Sequence, residues 1–192
     1  LVALFAFGAI YAAGTFRWTS VELGLFGILI LVTGTVGAVV GGRLDDRIGP
    51  RSVILGGLVI LTFASIGILS VDRAHIAFVV PVDPQTGAGG LFASIGEKAY
   101  LVLGGVIGAI SGPLQAASRT LLVRVSPRDQ MTQFFGLYAL SGKVTAFLGP
   151  ALVGWVTVWA DSQRVGMATI LLFFLAGFLL MLPIADPQRR DA

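Results

Sequence analysis

The amino-acid sequence predicts an all-α membrane protein, a bundle of six transmembrane helices. Hydrophobic residues make up 56% of the 192 residues and charged residues only 12%, whereas roughly 25% of the residues in soluble domains are charged. The apolar residues fall into long runs separated by short charged segments, and these runs are apolar on every side, unlike helices at the surface of a soluble protein. Buried helices of a soluble protein are the alternative interpretation.

The predicted spans follow one another along the chain. The first run has no initiator methionine and is shorter than the others, so we expect it to be truncated. Each complete run is about 20 residues long, which crosses a hydrocarbon core of about 30 Å at 1.5 Å per residue. The six spans are residues 1–16, 23–42, 52–71, 99–118, 134–159 and 165–185.

The longest break between spans is residues 72–98, which separates the first three from the last three. Its composition is typical of a loop rather than a domain, and we expect it to be extracytoplasmic. Two sets of three spans are compatible with the inverted repeats of transporter bundles, although no residue-level repeat is visible. The turn-forming residues are Pro81, Pro84, Gly87, Gly89 and Gly90.

The distribution of Lys and Arg predicts the orientation, because cytoplasmic loops are enriched in these residues. Eight basic residues lie on one side of the predicted bundle and four on the other, so the first side is predicted to be cytoplasmic, together with both ends of the chain. The eight are Arg43, Arg47, Arg51, Arg119, Arg124, Arg128, Arg189 and Arg190. The four are Arg17, Arg73, Lys98 and Arg164.

Several classes of function are disfavoured by the sequence. The pI is near 9.8, but the net charge is only +3 and no basic cluster occurs, so we expect no nucleic-acid partner. The chain has no cysteine, and His75 has no second histidine, so we expect no metal site and no cofactor. No acid lies at the centre of a span, and no nucleophile is paired with a base, so we expect no enzyme activity.

A ten-residue segment, Gly42–Arg51, lies between the second and third spans on the predicted cytoplasmic side. It resembles the major facilitator superfamily signature G-x-L-a-D-r-x-G-r-k, with Pro50 in place of a usual basic residue. The resemblance implies one half of a major facilitator fold, in which Asp46 and the arginines form a conformational latch against the other half. A solvated, positively charged loop is the simpler alternative. The matching residues are Gly42, Leu44, Asp46, Arg47, Gly49 and Arg51.

Further segments resemble one subfamily, the vacuolar amino-acid effluxers of autophagy and their bacterial homologues. They are residues 112–122, 134–143 and 147–150. The resemblance implies that residues 1–192 are a single domain, the C-terminal half with spans seven to twelve, whose partner is an N-terminal six-helix half of the same protein. It also implies a secondary active transporter that moves a small solute, such as an amino acid, across a bacterial inner membrane by alternating access. A non-transporting scaffold or sensor built on the same fold is the alternative.

Lys143 is the strongest candidate for a substrate-binding residue. It lies about ten positions into the fifth span, too deep for its side chain to reach water. Because an ammonium group at the membrane centre costs about 2.5–3.5 kcal/mol, it must face a cavity or a partner. A structural lysine that is hydrogen-bonded to carbonyls near a Gly-Pro kink is the alternative.

Other polar residues in the spans are weaker candidates. Tyr138, Ser141 and Thr145 share a helical face and could line a water path, or simply hydrogen-bond to neighbouring helices. We also predict substrate contacts for Gln115 and Tyr11, for which packing roles are equally reasonable. Because proline interrupts helical hydrogen bonds, helix pivots are predicted at three positions. They are Pro113, Gly149 and Pro150.

Overall fold

Six α-helices make up most of the computed structural model, which describes residues 1–72, 75–76, 78, 80–81 and 90–184. The predicted all-α membrane bundle is confirmed. Within these described residues, α2 to α6 are long and apolar enough to cross a membrane, and α1 is a shorter apolar helix. The helices are α1 Val2–Phe16, α2 Ser20–Ile48, α3 Pro50–Ser70, α4 Ile95–Val125, α5 Met131–Ala160 and α6 Gln163–Met181.

Two short features connect the helices. A hairpin follows α3, in which β1 (His75–Ile76) pairs antiparallel with β2 (Val80–Pro81). A 3₁₀ turn, Arg128–Gln130, precedes α5. Several residues named in the sequence predictions lie outside the described residues. They are Arg73, Pro84, Gly87, Gly89, Arg189 and Arg190.

The helices are longer than most of the predicted spans because polar residues cap and extend them. The side chain of Thr19 accepts a hydrogen bond from the backbone of Glu22, and Glu22 bonds back to Thr19, which starts α2. Ser94 and Glu97 form the same reciprocal arrangement at the start of α4. Each capping box satisfies amide groups that the first helical turn leaves free. Hydropathy alone places the beginning of these helices several residues too late.

The connection between α2 and α3 is a single residue, Gly49, with φ 82°. This backbone conformation favours glycine, and Pro50 follows as the first residue of α3, where its missing amide hydrogen costs nothing. The two ends of the bundle take their names from their connections. The end that carries Gly42–Arg51 is the signature end, and the end that carries the β1–β2 hairpin is the hairpin end.

The closest packing in the bundle is between α2 and α4. The glycines of both helices face each other's backbone: Gly112 lies against Gly34, and Gly41 lies against the ring of Pro113. Small residues allow this approach in a membrane, where helix association depends on van der Waals contact. Helix α3 packs on α4 and α6, while α5 packs on α6 and α1. The predicted glycine packing surfaces are thus confirmed.

An aromatic cluster joins α1, α2 and α4 at the hairpin end. Tyr100 is fully buried, and its ring is 5.4 Å from that of Phe16 and 5.5 Å from that of Trp18. The indole nitrogen of Trp18 donates a hydrogen bond of 2.9 Å to Glu97, the capping residue of α4. This cluster holds α1 against α4 at one end of the bundle.

Candidate functional site

A cavity of about 620 Å³ lies between α1, α4, α5 and α6. It involves the beginning of α1, the later part of α4 and the first two thirds of α5, so it lies toward the signature end. The aromatic cluster around Tyr100 lies at the other end of α1 and α4. The two helices are therefore joined by side chains at the hairpin end and separated by the cavity toward the signature end.

Polar side chains enter this cavity from α4 and α5. Gln115 and Ser118 line it from α4, and Tyr138 and Thr145 line it from α5. The hydroxyl groups of Ser118 and Thr145 donate to carbonyl oxygens of their own helices, at 2.6 and 2.9 Å. Within the described part of the chain, the Tyr138 hydroxyl has no hydrogen-bond partner. Tyr138 can therefore donate a hydrogen bond to a bound molecule.

Pro150 adds a backbone acceptor to the same region. Because proline has no amide hydrogen, it leaves the carbonyl oxygen four residues earlier without its helical bond. That residue is Ala146, which lines the cavity. Gly149 also lines it and packs against Ala3 of α1, where an added Cβ would lie 3.2 Å from the Ala3 side chain. The helix continues through Pro150 from Met131 to Ala160.

Lys143 lies on a different face of α5 from the cavity. Its neighbour Gly142 lines the cavity, and consecutive helical residues point about 100° apart. The Lys143 side chain is exposed, and its ammonium group makes no hydrogen bond or ion pair with any residue that the structure describes. Lys143 thus lies near the middle of α5 on a surface that this chain does not cover.

The remaining predicted binding residues are divided between two places. Gln115 and Tyr138 lie in the cavity, whereas Ser141 does not line it and donates its hydroxyl to the carbonyl of Tyr138 at 2.9 Å. Tyr11 is 4% exposed and stacks on Tyr100 at 6.3 Å. The structure therefore brings two of the five predicted substrate contacts together and places Tyr11 in the core.

Tyr11 belongs to a polar network at the hairpin end. Arg164 of α6 donates to the Tyr11 hydroxyl at 3.4 Å and forms an ion pair with Asp72 at 3.2 Å. The ring of Phe78 lies 5.6 Å from the Arg164 guanidinium carbon. This network links α1, the end of α3 and the start of α6, which is an anchoring role for Arg164.

The signature segment is mostly helical, which corrects the expectation of a loop. Residues 42–48 are the last two turns of α2, because their sequence forms helix readily and the chain turns only at Gly49. Asp46 and Arg47 are exposed at this end. The buried carboxylate is that of the preceding residue, Asp45, which is 9% exposed, and its Oδ1 has no partner among the described residues.

Arg51, the last residue of the signature, makes a contact inside this chain. Its guanidinium donates a hydrogen bond of 2.8 Å to the carbonyl oxygen of Leu182, just beyond the end of α6. Arg51 therefore ties α3 to α6, which the sequence pattern did not predict. Gly42 is exposed, with no atom within 4 Å of a Cβ built on it.

Pro113 is buried within α4, and the helix continues through it from Ile95 to Val125. The proline leaves the carbonyl oxygen of Ala109 without an amide partner. This oxygen lies against Gly37 of α2. A Cα–H to oxygen contact of this kind is common where helices pack closely. In this structure, Pro113 belongs to the α2–α4 packing surface.

Aromatic residues of the cavity were missed in the sequence. Phe5 lines it from α1, and Phe173 and Phe174 line it from α6. In the sequence each belongs to a uniformly apolar run, and phenylalanines that face lipid have the same pattern. Only the positions of α1 and α6 around α5 distinguish them.

Comparison with known proteins identifies the family. The family model described as "Vacuole effluxer Atg22 like" matches residues 3–191. Autophagy-related protein 22 of Cryptococcus neoformans var. neoformans serotype D (strain JEC21) is 26% identical over 196 residues, covering 95% of this chain and 31% of that protein. Autophagy-related protein 22 of Kluyveromyces lactis is 27% identical over 171 residues, covering 86% of this chain and 31% of that protein.

A bacterial protein is also similar. The uncharacterized MFS-type transporter YxiO of Bacillus subtilis is 21% identical over 92 residues, which is 48% of this chain and 22% of that protein. No solved structure matches the chain. The chain spans less than a third of the length of the curated relatives it matches. These matches confirm the predicted resemblance: the chain is an integral multi-pass membrane protein and belongs to the family of Atg22-like vacuole effluxers.

Proposed function

We propose that this chain is the C-terminal half of a secondary active transporter that moves a small solute of the amino-acid class by alternating access. The observation that carries the proposal is the cavity between α1, α4, α5 and α6. Its volume of about 620 Å³ lies within the range of small-molecule sites, about 300–1,000 Å³. Its position between joined and separated ends of α1 and α4 is suited to a path that opens on one side at a time.

The chemistry of the cavity favours a small, partly apolar solute. Tyr138 provides a hydroxyl donor, and the Ala146 carbonyl and the Gln115 amide provide acceptors, among aromatic and aliphatic walls. Within the described residues no charged side chain lines the cavity. The charges that balance an amino-acid zwitterion therefore come from the other half of the protein in this proposal, and this chain contributes hydrogen bonds and shape.

Lys143 faces the other half in the same proposal. An unpaired ammonium group near the membrane centre is costly, so a partner must lie opposite its exposed face. A carboxylate of the N-terminal half is the natural partner, because an ion pair compensates the desolvation of both charges only when both are present. Such a pair forms and breaks as the halves rock, which couples Lys143 to transport.

The orientation is proposed from charge. The signature end carries most of the arginines, and we place it in the cytoplasm by the positive-inside rule. For a bacterial protein the membrane is the inner membrane. The cavity then faces the cytoplasm in the state that the structure represents.

Cysteine accessibility tests this proposal, because the chain itself contains no cysteine. In the full-length protein, Thr145→Cys should react with a membrane-impermeant maleimide added on the cytoplasmic side, and amino-acid substrate should protect it. Leu172→Cys is the control, because Leu172 is 64% exposed on α6 and does not line the cavity. Equal labelling of the two positions, or no protection by any amino acid, would contradict a solute path through this cavity.

A further inference from the structure

A second, apolar groove lies between α2 and α3 at the signature end, with α4 as its floor. It has a volume of about 330 Å³. It extends from Val36 to Ile48 on α2 and from Ser52 to Ile60 on α3. Within the described residues, Ser52 carries its only polar side chain. The groove is separate from the solute cavity, which lies beyond α4.

The groove exists because α2 and α3 both pack on α4 but only lightly on each other. Gly41 contacts the ring of Pro113, while Gly57 faces Ile110 and Leu114 of α4, with 3.3 Å to a Cβ built on it. Between these contacts, Gly56 opens onto free space, with no atom within 4 Å of an added Cβ. The groove is therefore a crevice that its own side chains leave unfilled.

The length of the groove matches one leaflet of a bilayer. The twelve residue steps from Val36 to Ile48 correspond to about 18 Å along α2, at 1.5 Å per residue. Half of a hydrocarbon core of about 30 Å is about 15 Å. One acyl chain, extended along the membrane normal, therefore fits the groove from the membrane centre to the interface.

Basic side chains lie at the interfacial end of the groove. Arg47 is exposed, and among the described residues its guanidinium has no hydrogen-bond or ion-pair partner. It is on the same stripe of α2 as Val36 and Val40, which line the groove, whereas Asp46 points about 100° further away. Arg43, one turn earlier, adds a second positive charge on the same stripe. This end is complementary to a phosphate group.

We propose that the groove between α2 and α3 binds an anionic phospholipid, with one acyl chain in the groove and its phosphate on Arg47. Basic groups beside crevices between transmembrane helices are suited to anionic headgroups, because the charge and the acyl chain are recognised together. The site depends on the basic end alone and holds in either leaflet. It is independent of the solute path.

The test uses the full-length protein in phosphatidylcholine vesicles that contain a small fraction of phosphatidylglycerol with a photoreactive group on its acyl chain. Crosslinks should map by mass spectrometry to residues 36–48 or 52–60. Gly56→Leu should abolish them, because the new side chain fills the groove. Gly27→Leu is the matched control, since an added Cβ there also meets no atom within 4 Å but lies outside the groove.

The headgroup is tested separately with unmodified lipids. Arg47→Gln should weaken phosphatidylglycerol binding about fivefold and leave phosphatidylcholine binding unchanged, and Arg47→Lys should restore it. Glycerol phosphate without acyl chains should not compete. Crosslinks that persist in Gly56→Leu, equal affinity of the wild-type protein for the two lipids, or crosslinks of groove positions to another protein segment would each overturn the proposal. If Gly56→Leu fails to fold, the lipid comparison with Arg47→Gln decides.

Discussion

The hydroxyl group of Tyr100 on α4 donates a hydrogen bond of 2.7 Å to the carbonyl oxygen of Gly8 on α1. The two residues are 92 positions apart, and the Tyr100 ring lies at the centre of the aromatic cluster. This bond fixes α1 against α4 at the hairpin end, where the two helices meet. The cavity opens further along the same pair of helices.

Tyr100→Phe should lower the free energy of unfolding by about 1 kcal/mol, because it removes this buried hydrogen bond and keeps the ring. Unfolding of the purified protein in detergent measures the change. Tyr138→Phe is the control, since the Tyr138 hydroxyl has no partner among the described residues, and its stability should equal that of the wild type. Equal effects of the two substitutions would contradict the assigned roles.

Gly37→Ala should destabilise the bundle by about 1–3 kcal/mol. A Cβ on Gly37 would lie 2.6 Å from the carbonyl carbon of Ala109, so α2 and α4 would have to separate. Gly27→Ala on the same helix meets no atom within 4 Å and should be neutral or slightly stabilising. Thermal unfolding of the two variants side by side checks the close packing. A neutral Gly37→Ala would show that α2 and α4 are further apart.

Asp46→Asn should shift the balance between inward-open and outward-open states of the full-length protein, because the exposed carboxylate is positioned to contact the other half. Accessibility of cysteines engineered on the two sides of the membrane reports the shift. Asp129→Asn, an exposed acid in the 3₁₀ turn at the same end, should have no such effect. Unaltered accessibility in Asp46→Asn would refute the latch.

Lys143→Ala should abolish transport and leave the stability of the bundle unchanged. Lys143 has no partner among the described residues, so the substitution removes no contact within this chain. Lys98→Ala is the control, because Lys98 is exposed at the start of α4, far from the membrane centre. Solute flux and unfolding should be measured on the same preparations. Normal flux in Lys143→Ala would remove it from the mechanism.

The sequence predicted the architecture well because membrane insertion restricts the choices. Runs such as residues 52–71 have the length and apolar character that only a membrane span requires, and the model places α3 at Pro50–Ser70. The glycines of α2 and α4 also indicated their packing role. Helix starts were less accurate, because capping by Glu22 and Glu97 extends helices into polar sequence.

The candidate site was predicted only in part. Tyr138 and Gln115 line the cavity, as expected from polar residues in apolar spans, but the directions of Lys143 and Tyr11 depend on how the helices rotate against one another. Uniformly apolar helices have no sequence moment that reveals this rotation. For the same reason, hydropathy could not separate Phe173 from lipid-facing residues.

The measurement that tests the central claim most directly is solute flux in proteoliposomes that contain the full-length protein. The vesicles are loaded with labelled amino acids and related metabolites, and empty vesicles provide the background. We predict saturable flux of at least one amino acid above this background. If the folded protein moves none of these solutes, the claim of a transporter half is contradicted, and a scaffold or sensor with the same fold would explain the chain better.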